Sequence, residues 1–326
     1  MHVPGPATTA PDGLGRAGVV AVLVTVLAWA SAFVVIRYAG PWLSPGALTL
    51  GRLLVATVVL TLMTASRRLG GGDRLARLRA LPQRSRWLLV GIGLAWFAVY
   101  NVALNAGERH VDAGTASMII QIGPVLIAVL AGTLLHEGFP RPLVVGTAVA
   151  LLGTVLIGVA TGTAGEGDRP AGASPLLGVL LVLISAAAYA AALVAQKVVL
   201  RRLSGLLVTW AACAIGCLAC LPFAGELVSG LAAAPPRVWW SVVYLGVVPT
   251  AIAFSTWAYA LGRSDAGRLS ISTYAVPPVA IALGWLFLGE VPLPLAVVGG
   301  AVSLVGVAIS RRRGRPRTEP VPVPAV

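Results

Sequence analysis

The chain has 326 residues, 58% of them hydrophobic and 11% charged, with a mean hydropathy of +0.90. Soluble domains carry about 45 to 50% apolar residues, so this composition excludes a soluble globular domain and specifies an all-α polytopic membrane protein. The formal charge of +13 does not imply nucleic acid, because a DNA footprint needs a basic face on a folded soluble module and the sequence offers none.

Residues 1–16 are rich in Pro, Gly, Ala and Thr without periodicity and read as a flexible tail. Beyond them, hydropathy gives ten candidate membrane crossings, each close to the ~20 helical residues that span ~30 Å of hydrocarbon. They are 17–36, 45–64, 87–106, 113–135, 142–160, 175–196, 203–223, 238–261, 267–288 and 293–310. The first is not read as a cleaved signal peptide despite Ala28-Trp29-Ala30, because it has a counterpart inside the chain. That counterpart is the run from Ala188 to Lys197, matching the run from Ala28 to Arg37 at an offset of 160.

A second and stronger match joins Pro124–Leu156 to Pro277–Ile309 at an offset of 153. It pairs Pro124 with Pro277, Glu137 with Glu290, Gly146 with Gly299 and Gly153 with Gly306. A repeat of half the chain sets the architecture. Residues 17–160 form one five-helix repeat, 161–174 an extracytoplasmic connector, 175–310 a second repeat, and 311–326 a basic, Pro-rich cytoplasmic tail. Five crossings per half is odd, so the halves enter the membrane from opposite sides as an inverted pair. With both termini cytoplasmic, most of the 24 basic residues lie inside, as the positive-inside bias requires. Arg37, Arg109, Arg169 and Arg237 are left outside, and Arg52 lies within a span.

The two five-helix halves, the Trp29-Ala30-Ser31-Ala32-Phe33 run, the Pro-x12-Glu endings and the Gly-x6-Gly helices resemble the EamA-type family of the drug/metabolite transporter superfamily. The resemblance runs from about Ala17 to Ser310. It implies ten helices around a central cavity and export or exchange of small metabolites, amino acids among them. One departure breaks the pseudo-symmetry: Tyr189 stands where the first half has Trp29.

Within the spans, few residues are suited to bind a solute. Arg52 is the single charge well inside a span, about seven residues or ~10 Å from Pro45. It is placed to hold a carboxylate or phosphate, to snorkel outward, or to bond helix carbonyls. Asn101 and Asn105 are one turn apart and costly in lipid. Trp29, Trp96, Tyr100, Tyr189 and Trp257, with Ser31, Gln121, Thr273 and Tyr274, complete the expected substrate-binding set. Pro124, Pro277 and Pro278 remove amide hydrogens and free the carbonyls of Ile120, Thr273 and Tyr274, giving either packing kinks or a gate beside the cavity. Glu137 and Glu290 read as caps of the spans that follow them. Gly146, Gly153, Gly299 and Gly306 read as packing positions, and Trp42, Trp87, Trp239 and Trp240 as interfacial anchors.

The function this supports is a secondary carrier in the plasma (inner) membrane, moving small polar or zwitterionic metabolites such as amino acids or drug-like compounds by alternating access. Its expected partners are the small-molecule substrate and the lipid bilayer, with no nucleic acid, cofactor or metal. A non-transporting adaptor or a lipid scramblase is the alternative of another class. An intramembrane enzyme lacks its constellation: His136-Glu137 is followed by Pro140 where a second zinc-binding histidine would stand. No phosphate-binding Gly-Lys loop is present. Cys213, Cys217 and Cys220 share one helical face as small apolar packing residues. No carboxylate or histidine lies at mid-membrane, so no proton relay of that kind is expected.

Overall fold

The computed structural model describes residues 14–65, 74–107, 110, 119–164, 174–288 and 293–310, and every regular element among them is a helix. In chain order these are α1 (Arg16–Ala39), α2 (Pro45–Ala65), the short α3 (Arg74–Arg79), α4 (Gln83–Gly107), α5 (Ile122–Leu134) and α6 (Arg141–Ala164). There follow α7 (Pro175–Val199), α8 (Gly205–Ala219), α9 (Ala224–Ala233), α10 (Pro236–Leu261), α11 (Ala266–Phe287) and α12 (Pro294–Ser310). Among the described residues a helix overlaps each stretch picked out by hydropathy, α5 covering Ile122–Leu134 of the stretch 113–135, and α3 and α9 are additions. Six helices (α1, α2, α4, α7, α10 and α11) are long and apolar enough to cross a membrane, and α8–α9, bent by 54°, makes a seventh if the pair is one span. Helices α5 and α12 and the stretch Arg141–Ile157 of α6 are apolar but shorter. Glu290, residues 1–13, most of the connector and the tail 311–326 lie outside the described residues.

Local sequence explains the boundaries. Ser174 and Ser204 cap α7 and α8 by accepting from the amides of Leu177 and Leu207, and Pro175 fits a first-turn position where no amide partner is needed. Helix α1 buries Val22, Val26 and Ala30 and exposes Val20, Leu23 and Leu27. Apolar residues on both faces suit a helix packed on protein on one side and lipid on the other. Trp87, Trp239 and Trp240 are exposed near helix starts, as interfacial anchors should be.

Helices α6 and α12 pack antiparallel at a separation set by their glycines. A Cβ on Gly146 would stand 2.5 Å from the Ser310 nitrogen, and one on Gly299 2.6 Å from the Gly153 oxygen; Gly153 abuts Ser303 and Gly306 abuts Ala150. The contacts are reciprocal: Gly146 meets Gly306, and their repeat mates Gly299 and Gly153 meet each other. The Ser303 hydroxyl bonds the Ala150 oxygen at 3.3 Å, 153 residues away. Replacing Gly153 by Leu is expected to cost more than the ~1 to 3 kcal/mol of ordinary overpacking, since backbone rather than side chain blocks it. Thermal unfolding in detergent reads this, with Gly91→Ala, whose Cβ meets nothing within 4 Å, as the neutral control.

The prolines differ from expectation. The chain turns at Gln121 and α5 begins at Ile122, so Pro124 falls in a first turn; likewise a 3-10 segment, Ile271–Ala275, precedes the α-helical stretch that starts at Val276, ahead of Pro277 and Pro278. First-turn amides need no helical partner, so these prolines start helices after a break instead of kinking a continuous one. The Tyr274 carbonyl is met by the Ser303 hydroxyl at 3.0 Å, and the Gln121 carbonyl by the Tyr274 hydroxyl at 3.0 Å. Protein groups, not a wet cavity, satisfy both.

Candidate functional site

Two π-helical segments shape the centre: Gly93–Val99 in α4 and Val247–Ile252 in α10. In α10, Pro249 cannot donate to the carbonyl of Leu245; the Thr250 hydroxyl bonds that carbonyl instead, at 2.7 Å. In α4, the Asn101 carboxamide donates to the carbonyls of Trp96 and Phe97 at 3.0 and 3.1 Å. Such widened turns recur at functional sites. Here they set Asn101 and Thr250 within hydrogen-bond reach of Arg52.

Arg52 is 8% exposed. Its Nε donates to Thr250 Oγ1 at 3.0 Å and its Nη1 to Asn101 Oδ1 at 3.4 Å. It neither snorkels outward nor bonds helix carbonyls, and lines a cavity of about 150 Å³. The cavity brings together Trp29, Arg52, Trp96, Tyr100, Asn101, Asn105, Gln121, Tyr189 and Thr273 from the expected set, with Pro277 beside them. Asn105 reaches back to the Pro45 carbonyl and Thr49 hydroxyl at 3.5 and 3.4 Å. The aromatic wall is continuous: Trp96 to Tyr189 at 5.3 Å between ring centroids, Trp29 to Phe254 at 5.5 Å, Trp96 to Phe254 at 4.9 Å.

Five expected residues stand elsewhere. Ser31 pairs with the Tyr244 hydroxyl at 2.7 Å. Trp257 is fully buried behind Trp29, its ring 5.1 Å away. Tyr274 is fully buried by its bond to Gln121. Pro124 is buried in α5, and Pro278 packs under Gly300. Ser31, Tyr274 and Pro278 each stand one residue round their helix from a lining residue, Ala32, Thr273 and Pro277, while Pro124 and Trp257 stand one turn along from Gln121 and Phe254. Sequence reasoning missed Phe254 and the apolar lining residues Ala32, Ile36, Leu104, Ile120 and Val276. Thr250 was also missed, although its neighbour Pro249 was the available signal.

The lining runs from Trp29 and Phe254 at mid-helix to Ile36, Leu104 and Asn105 near the C-termini of α1 and α4. The opposite end is fastened. Glu137 does not cap its own following helix; its two carboxylate oxygens accept from the amides of Ala266 and Gly267 at 2.9 and 3.0 Å, across to the start of α11. His136 holds a left-handed φ of 57° to aim it, a conformation non-glycine residues adopt at a cost. Beside it, Lys197 donates to the carbonyls of Leu261, at 2.7 Å, and Ser264. The repeated Asp-Ala-Gly at 112–114 and 265–267 was the overlooked signal for this seat. Immediately before Lys197, Gln196 is fully buried with neither carboxamide atom bonded. An unsatisfied buried group costs about 1 to 3 kcal/mol, so Gln196→Leu is expected to raise the unfolding temperature in detergent; a lower value would show a bonded carboxamide.

Apolar helices around an aromatic cavity that includes the buried Arg52 define a multi-pass membrane protein. Comparison with known proteins makes this specific. The EamA-like transporter family model matches residues 16–159 and again 176–312. A probable terminal-alkyne amino-acid exporter of Streptantibioticus cattleyicolor is 38% identical over 304 residues, 93% of this chain and 96% of that one. A probable amino-acid metabolite efflux pump of Salmonella typhimurium is 25% identical over 71% of this chain and 78% of its own length. A crystal structure shares the fold with a TM-score of 0.70 at 20% identity, over 90% of this chain and 96% of that one. The chain belongs to the EamA-like transporter family, whose members named here are transporters and not enzymes.

Proposed function

We propose that the protein is a secondary carrier exporting or exchanging small polar or zwitterionic metabolites, amino-acid-like among them, by alternating access through the central cavity. The observation that carries this reading is the asymmetry of the cavity: lined toward one end of the bundle, fastened by Glu137 at the other. The names of the two relatives, both concerned with amino acids or their metabolites, support the substrate class.

In this reading the ten helices α1, α2, α4–α8 and α10–α12 each cross the membrane as two inverted repeats, 17–160 and 175–310, with 161–174 outside and both termini cytoplasmic. The reciprocal α6–α12 contacts support a two-fold relation in the membrane plane, as do the π segments at matching places in α4 and α10 and the double family match. The substrate-binding residues are Trp29, Arg52, Trp96, Tyr100, Asn101, Asn105, Gln121, Tyr189 and Thr273. With the lined end facing outward, the fastened end lies among the cytoplasmic arginines. Counterflow of radiolabelled amino acids in proteoliposomes tests the reading: accelerated uptake into vesicles preloaded with unlabelled solute supports it, and no movement of any solute across a broad panel contradicts it.

A further inference from the structure

We infer that the cavity selects solutes bearing a single carboxylate, seated on Arg52, and that the α-amine of an amino acid is dispensable for binding. The inference rests on the cavity being the substrate site and narrows what that site takes.

A guanidinium offers five N–H donors in a planar fork matched to carboxylate. Among the described residues, Arg52 directs its side-chain hydrogen bonds at the neutral oxygens of Thr250 and Asn101. Among the described residues it forms no salt bridge, and among the described lining residues it is the one charged side chain. A buried cation without counter-charge is costly, and an arriving carboxylate removes that cost through charge-assisted, bidentate bonds. A dicarboxylate or phosphate dianion would bring a second negative charge, and no described lining residue compensates it. Lys197 is engaged by carbonyls at the fastened end.

An ammonium group finds no acidic partner in the described lining. It meets amide and hydroxyl oxygens and the faces of Trp29, Trp96 and Tyr189, which return little more than its desolvation takes. The same rings accept an apolar group, and about 150 Å³ gives room for one the size of benzene. The fitting ligand is an aryl or alkyl monocarboxylate, with or without an amine.

The test uses the full-length protein in detergent and phenylalanine, 3-phenylpropanoate, phenethylamine, phenylalaninamide and phenylsuccinate as probes, read by ligand-induced thermal shift. The expected result is that phenylpropanoate stabilises at concentrations comparable to phenylalanine. Phenethylamine, phenylalaninamide and phenylsuccinate should need at least about tenfold more, the worth of one charge-assisted hydrogen bond. Arg52→Gln should erase the preference for the acids without lowering the unliganded unfolding temperature, since it removes an uncompensated buried charge. The inference is overturned if phenethylamine binds as well as phenylalanine, if phenylpropanoate is more than tenfold weaker than phenylalanine, or if no probe binds protein that still carries other solutes in vesicles. A protein that carries no solute at all overturns the carrier reading instead.

Discussion

Glu137→Ala is expected to free the fastened end of the bundle and shift the protein toward the conformation open there. The carboxylate holds two amides of α11 from the turn between α5 and α6. Hydrogen bonds to a charged group are worth about 1.5 to 3 kcal/mol each when shielded, and the partial exposure of Glu137 reduces that. A net change of about 2 kcal/mol corresponds to a roughly thirtyfold shift in population. The readout is the rate at which a membrane-impermeant maleimide labels Gln196→Cys, buried at that end, in a background with Cys213, Cys217 and Cys220 replaced by alanine. Labelling should accelerate in Glu137→Ala and rise less in Glu137→Gln, which keeps an acceptor oxygen. An unchanged rate would make Glu137 an ordinary cap.

The second large effect belongs to Arg52. Arg52→Leu leaves the hydroxyl of Thr250 its bond to Leu245 and the Asn101 amide its bonds to α4, so the π segments should persist and the protein should fold. What is lost is the one described charge facing the cavity. At about 1.5 to 3 kcal/mol for each bond between guanidinium and an anionic solute, counterflow should fall at least tenfold. Arg52→Lys should restore only part, because an ammonium lacks the planar fork. Wild-type flux in Arg52→Leu would place the substrate elsewhere.

Both effects involve residues that were visible in the sequence, though with unequal clarity. Arg52, Asn101 and Asn105 could be singled out because polar groups in hydrocarbon are expensive and must face protein or water. The glycines of α6 and α12 were legible for a related reason: a seven-residue spacing keeps them on one face, and the structure puts backbone against each of them. Glu137 was found but misassigned, because sequence distance favours the helix that follows it, while the turn at His136 and Gly138, both with positive φ, directs it across the bundle. The helix breaks beside the prolines, at Gln121 and the 3-10 segment 271–275, are announced by no periodicity, while Pro277 does stand in the cavity lining. Phe254 could not be told from any other apolar residue of α10 until the π segment fixed its phase.

Site-directed labelling from both sides of the membrane bears most directly on alternating access. Ile36 lines the cavity near its open end, and Gln196, matched to it in the repeat, is sealed. Cysteine at position 36 should react from outside in the resting protein, and cysteine at 196 slowly from inside. A transported solute should lower the first rate and raise the second together. Independent rates, or reaction of both positions from the same side, would contradict the exchange of one central site between the two faces.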